Sequence, residues 1–213
     1  MQGCGASLRA INSLASEELG SEAQRARRTR ILDAAIALAS KGGFEQMQMR
    51  AVAERADVAL GTLYRYFPSK IHLLVSALGQ QLELALEVFD RKPIPGDTPA
   101  DRVMHVLDRM TRNLQREPNL TEALTRAFMF ADASVAHEIH LVGTHVTRML
   151  TTAMRDPQTS PPERVEPTEE DVAISKVISD VWFASLVQWV TGRSSAADVS
   201  RSMDVAVRLL LRR

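Results

Sequence analysis

Apolar positions recur every three to four residues along most of this chain, the spacing of one helix face. No run alternates apolar and polar residues as a half-buried strand does. Ile31, Leu32, Ala35, Leu38 and Ala39 share one face of a first helix. Ser21 and Gln24 have the capping-box spacing that starts it, and Gly42-Gly43 ends it. Met49, Val52, Ala53 and Ala56 mark a second helix from Gln48 to Arg55. The tight turn Ala56-Asp57-Val58 leads into a third, from Ala59 to Arg65. Pro68 blocks its continuation, and Ser69 is the N-cap of a long fourth helix. That helix carries Ile71, Leu74, Val75, Leu78, Leu82, Leu86 and Phe89.

Pro93-Ile94-Pro95-Gly96 is the clearest linker in the chain. Beyond it the pattern predicts helices from Thr98 to Arg116, from Pro118 to Ala131 and from Ser134 to Arg155. Residues 156–167 hold four prolines and read as loop. Thr168 and Asp171 cap an eighth helix, ending at Thr191, and Ser195 caps a ninth, ending at Leu211. The fold class is all-α, with nine helices and no repeats. Residues 1–20 read as a loose arm, 21–68 as a three-helix unit and 69–213 as a larger helical bundle.

Composition narrows the function classes. The chain has 213 residues, 45% of them hydrophobic and 24% charged, which suits a folded globular protein. The single cysteine, Cys4, excludes an internal disulfide and a thiolate zinc site. The N-terminus lacks the apolar core of a signal peptide, and no apolar run reaches membrane-span length, so the expectation is a cytoplasmic protein with no membrane partner. Net charge is zero, but residues 1–70 carry 10 basic against 7 acidic side chains. That basic first third points weakly to an anionic partner.

The second and third helices have the tight connection of a helix-turn-helix, whose second helix enters the major groove of DNA. Gly61 inside a short helix costs about 1 kcal/mol relative to alanine, so it needs a reason, such as a close backbone approach. Thr62 and Tyr64 offer hydroxyls to phosphate oxygens, and Arg65 offers a fork for phosphate or a guanine edge. Lys70, Gln48 and Arg50 stand at helix N-termini, where free N–H groups favour phosphate. Ala59 and Leu60 open the third helix, and Leu60 suits a thymine methyl or simple packing. Any amphipathic bundle helix can carry Thr, Tyr and Arg on its wet face, so chemistry alone leaves both readings open.

Residues 48–67, QMRAVAERADVALGTLYRYF, followed by PSKIHLL, resemble the DNA-binding signature of the TetR family of bacterial repressors. The likeness runs from Arg28 to Leu86 and includes the glycine pair after the first helix. It implies a helix-turn-helix domain, a sensor and dimerisation bundle, and a palindromic double-stranded DNA operator. Tyr66 and Phe67 in that pattern anchor the recognition helix. Ala59-Leu60 departs from it, since many members carry serine followed by lysine or arginine there.

LGSEAQRARRTRILDAA (19–35), LTEALTRAFMFADAS (120–134), VISDVW (177–182) and DVAVRLLL (204–211) are similar to the branch of that family that controls cholesterol catabolism in actinobacteria. This resemblance implies, as effector, a coenzyme A thioester of a steroid with an oxidised side chain. No other cofactor is implied. The alternatives are the same repressor fold answering a fatty acyl-CoA or a drug, and a helical interaction protein that binds no DNA.

The second half carries soft and flat side chains suited to a large apolar ligand. Met104, Leu107, Met110, Leu114, Leu124, Phe128, Met129, Met149, Trp182, Leu186 and Trp189 are the candidate lining. Each also suits an ordinary core position. Arg112 and Arg126 are candidates to meet a thioester or phosphate at the mouth. Val177, Val181, Val187 and Val190 on the eighth helix, with Val199, Met203, Val207 and Leu210 on the ninth, suggest a four-helix dimer interface.

Enzyme chemistry finds no residues. His137, Glu138 and His140 form His-Glu-x-His, not the His-Glu-x-x-His that turns two rings to one metal, and His145 adds no such spacing. There is no nucleophile elbow, phosphate loop or dinucleotide fingerprint. Glu169-Glu170-Asp171 simply suits a helix N-terminus.

Overall fold

A computed structural model describes residues 5–91, 93–155 and 167–212, with side-chain surroundings from Glu22 onward. Among them are nine α-helices: α1 (Gly5–Gln46), α2 (Met49–Arg55), α3 (Leu60–Tyr66), α4 (Lys70–Asp90), α5 (Pro99–Arg116), α6 (Pro118–Met129), α7 (Ala136–Met154), α8 (Glu169–Val190) and α9 (Ala196–Leu210). A 3₁₀ turn, Ala133–Val135, leads into α7. The all-α, nine-helix expectation matches this architecture. The described helices are none of them long and apolar enough to cross a membrane.

Local chemistry sets the boundaries. Ser69 accepts a hydrogen bond from the His72 N–H at the start of α4. Thr98, Thr168 and Ser195 cap α5, α8 and α9, each in a reciprocal box with the aspartate three residues on. Each side-chain oxygen satisfies an N–H group that the first helical turn leaves without a partner.

One boundary moves. The sequence places the start of α1 at Ser21, but the helix already runs from Gly5. Good helix formers (Ala6, Leu8, Ala10, Leu14, Ala15, Glu17, Glu18, Leu19) supply the intervening turns, and no proline interrupts them. Met1 to Cys4 and most of the proline-rich stretch, 156–166, lie outside the described residues. At its other end α1 breaks at Gly43, where φ is +67°, a left-handed conformation that glycine adopts without a Cβ clash.

The core runs without interruption through both halves. Ile31, Leu32, Ala35 and Ala39 of α1 pack with Val52, Ala53, Leu63 and Phe67 and with Leu73 and Leu74 of α4. The same cluster continues through Val103, Leu107, Leu124, Met149, Ile178 and Met203. α4 belongs to both halves, touching α1 at one side and α6 and α7 at the other. α1 also packs extensively on α6, so the three-helix unit rests directly on the larger helical bundle.

Candidate functional site

The α2–α3 turn is closed by the Val58 N–H, which donates to the Ala53 carbonyl at 3.0 Å. Asp57 takes a positive φ of 52° there, one of the few L-residues that tolerate it. α3 then buries Leu63 and its C-cap, Phe67, and turns the opposite side outward. Leu60, Gly61, Tyr64 and Arg65 form that outward face, spaced i, i+1, i+4, i+5. Tyr64 is 46% exposed, high for so large an aromatic ring.

A Cβ built on Gly61 meets nothing within 4 Å. No neighbour among the described residues would meet a side chain there. Ala59 is the exposed N-cap of α3, and Thr62 is half-buried. Tyr66 packs against the core beside Phe67, with ring centroids 6.3 Å apart. Arg28 of α1 lies 5.5 Å from the centre of the Phe67 ring. Gln48 is the exposed N-cap of α2, and Arg50 ion-pairs loosely with Glu54 at 3.7 Å.

Lys70 is half-buried at the start of α4. Its Nζ lies 4.1 Å from the centre of the Phe44 ring, on the joint with the sensor bundle. Burial pulls its ammonium below the usual lysine range; the nearby Glu45 opposes that shift and Arg126 adds to it.

Arg126, one of the two candidates for the effector mouth, lies on the joint between α1 and α6. It pairs with Glu45 of α1 at 2.7 Å and with Glu122 of its own helix at 3.6 Å, over the same Phe44 ring at 4.7 Å. Glu122 in turn accepts the Phe44 N–H at 2.9 Å. The Asn119 amide donates to the Ser40 and Lys41 carbonyls, both at 3.2 Å. His72 bridges the N-cap hydroxyl of Ser69 at 2.9 Å and the Ser134 carbonyl at 3.1 Å. Four polar ties thus join the end of α1 and the start of α4 to α6 and the turn after it. The only sequence signal for them was the Gly42-Gly43 pair, which marks the break but not its partner.

The expected lining divides. Leu107, Met110, Leu124, Met149, Trp182 and Leu186 are buried, and Met104, Leu114, Phe128 and Trp189 are partly buried against the same core. Met129 is 49% exposed and turns outward, because it is the last residue of α6 and its phase leaves the core. Trp182 donates from Nε1 to the Thr111 hydroxyl at 3.0 Å, linking α8 to α5. Phe128 meets Phe183 edge to face, at 5.0 Å between centroids. Arg112 is exposed.

Arg102, which the sequence reading passed over, is buried. Its guanidinium donates to the carbonyls of Ala153, Met154 and Gly96 at 2.9, 3.3 and 3.2 Å. It thereby serves the open carbonyl end of α7.

The dimer residues divide too. On α8, Val177 is 46% exposed and Val181, Val187 and Val190 are half-buried. On α9, Val199, Met203 and Val207 are fully buried inside their own chain, so they are unavailable to a second copy. They face α5 and α8, a packing that the period of α9 could not reveal. The outward apolar positions of α9 are instead Val205, Leu209 and the expected Leu210.

Among the described residues, no group of three or more His, Cys, Asp or Glu side chains could hold a metal ion. An open groove of about 230 Å³ lies between α1 and α2, lined by Arg30, Asp33, Ala34, Arg55 and Ala56. It includes none of the expected effector lining.

The helix-turn-helix and the bundle define one class. Residues 31–77 match the bacterial regulatory proteins of the tetR family, and 96–210 match the tetracyclin repressor-like C-terminal domain. The chain belongs to the TetR family of transcriptional repressors, which are DNA-binding proteins and not enzymes. It is 56% identical over 198 residues to the HTH-type transcriptional repressor KstR of Mycolicibacterium smegmatis, covering 93% of each chain. A TetR transcriptional regulator from Rhodococcus sp. RHA1 superposes with a TM-score of 0.78 at 35% identity, over 88% of this chain and 97% of the other. The FadR repressor of Thermus thermophilus, solved with lauroyl-CoA, shares the fold at a TM-score of 0.64 and 23% identity, over 86% and 93%.

Proposed function

We propose that two copies of this chain bind a palindromic operator and release it when the bundle takes up an acyl-CoA thioester of a steroid. The observation that carries the DNA half is the outward face of α3. It exposes Leu60, Tyr64 and Arg65 around a glycine with open space above it. Such a face suits a major groove, with Tyr64 and Arg65 on phosphates or base edges. Gln48, Arg50 and Lys70 would add phosphate contacts at the N-termini of α2 and α4.

The effector reading rests on the likeness to KstR, the flat and soft lining, and a fold that holds an acyl-CoA in another repressor. Control of lipid or sterol breakdown genes follows from such an effector. Dimerisation is assigned to Val177 of α8 with Val205, Leu209 and Leu210 of α9. The short α8–α9 connection makes these helices antiparallel, which sets the end of α9 beside the first half of α8. Linkage then requires that ligand weaken DNA binding and DNA weaken ligand binding by one factor.

Duplexes selected from a random library, followed by anisotropy titrations at several salt concentrations, test the DNA half. A steep salt dependence with one enriched palindrome is expected. No enrichment and no salt dependence overturn the reading. A thermal shift with a steroid-26-oyl-CoA tests the effector, with free coenzyme A and the free steroid acid as controls. A rise with the thioester alone is expected; an equal rise with lauroyl-CoA moves the assignment to fatty acyl-CoA.

A further inference from the structure

Phe44 stands against two cations from different parts of the molecule. Lys70 at the start of α4 lies 4.1 Å from its ring centre, and Arg126 of α6 lies 4.7 Å from it. Glu45, the next residue, is one of two carboxylates near both cations, the other being Glu122 of α6. It pairs with Arg126 at 2.7 Å, its charge is also felt at Lys70, and its side chain is 72% exposed.

We infer that Glu45 is a transferable counter-charge: Arg126 holds it away from Lys70, and a movement of α6 that withdraws Arg126 hands Glu45 to Lys70, which then leaves its DNA phosphate. This rests on the reading of Lys70 as a phosphate contact.

Three features favour the transfer. Glu45 follows the break at Gly43, so it is not locked into the regular part of α1. Glu122, the other partner of Arg126, sits on α6 and travels with it, whereas Glu45 stays with α1. An exposed ion pair is also worth little, so a small displacement suffices to exchange partners. Phe130, 6.0 Å from Arg126, and Phe44 carry no charge, and the other carboxylate felt at Lys70 is Glu122, which accepts the Phe44 N–H. Leu124 and Phe128, which flank Arg126 in sequence, belong to the sensor lining, and Phe128 rests on Phe183 of α8. A ligand entering there presses on the helix that carries Arg126. Arg126 is thus a positioning residue for DNA binding.

The test needs neither operator nor effector, because phosphate contacts are read on any duplex. Affinities for a random-sequence duplex are measured at low salt for Glu45→Gln, Arg126→Gln, Lys70→Gln and the doubles. Arg126→Gln is expected to bind about two- to fivefold more weakly and Glu45→Gln about two- to fivefold more tightly. The Glu45→Gln/Arg126→Gln double should behave like Glu45→Gln. The gain from Glu45→Gln should vanish in the Lys70→Gln background. Weak binding that persists in the Glu45→Gln/Arg126→Gln double means Arg126 only packs, and overturns the inference. So does Glu45→Gln binding no tighter than the wild type, a readout that survives if Arg126→Gln fails to fold. If Lys70→Gln itself leaves affinity unchanged, the phosphate role of Lys70 fails instead.

Discussion

Single residues separate fold from function most sharply at Gly61. Inside a helix glycine is worse than alanine by about 1 kcal/mol, and here a methyl group has open space. Gly61→Ala should therefore raise the melting temperature. The same methyl would stand on the face assigned to the major groove, so duplex affinity should fall. Calorimetry and anisotropy on one preparation check the opposite signs; a variant that is more stable and binds DNA as well as before would remove Gly61 from the interface. Gly43 presents the contrary case. Its φ is positive, and a Cβ there would come within 2.9 Å of a Glu122 carboxylate oxygen. That glycine serves the chain itself, by letting α1 break against α6.

At the scale of elements, helix ends carry much of the polar order. Asp198 accepts hydrogen bonds from the Ser195 hydroxyl and backbone and pairs with Arg201, which together hold its carboxyl well below the usual range. Asp101 is lowered in the same way, first by the Thr98 hydroxyl, and Asp132 by that of Ser134. A depressed carboxylate contributes stability that is complete above its unfolded value near ~4 and is lost as pH falls through the folded value. Ser195→Ala should lower the melting temperature at neutral pH, and its deficit should narrow below pH ~4. A deficit independent of pH would deny the Ser195–Asp198 box its role. Arg102 is a second end device, donating to carbonyls of Ala153 and Met154 at the close of α7. Arg102→Leu should cost roughly 2–3 kcal/mol in denaturant unfolding, since buried acceptors lose a charged donor. Unchanged stability would mean that water replaces the guanidinium.

For the whole molecule, dimerisation and DNA reading are one question. Two recognition helices span a palindrome only when a second copy sets their spacing at about one helical turn, ~34–36 Å. Leu209→Lys is expected to dissociate the dimer in sedimentation experiments and to lower operator affinity with it. Val199→Ala should lower thermal stability while leaving the dimer intact, because Val199 is buried within its own chain. A monomeric Val199→Ala, or a dimeric Leu209→Lys, would move the interface elsewhere. The α1–α6 packing matters at the same scale, because it gives the sensor a direct hold on the helix-turn-helix besides α4.

Helices, most of their ends and the helix-turn-helix were legible in the one-dimensional pattern, because they depend on neighbours three or four residues away, and the start of α1 was the exception. Ser69, Thr98, Thr168 and Ser195 cap where their spacing says they should. The α2–α3 pair and its outward Tyr64 and Arg65 follow from periodicity and from a well-populated family signature. What depended on distant neighbours was not legible. The period of α9 shows that Val199, Met203 and Val207 share a face, but only tertiary packing decides that the face is used within the chain. Arg126 reads as a free cation until folding brings Glu45, 81 positions earlier, to 2.7 Å. Arg102 gives no local sign that it will be buried beneath carbonyls 51 and 52 positions later. Short-range hydrogen bonding and hydrophobic period are properties of a segment; which apolar face finds a partner, and which charge finds its counter-charge, are properties of the assembled fold.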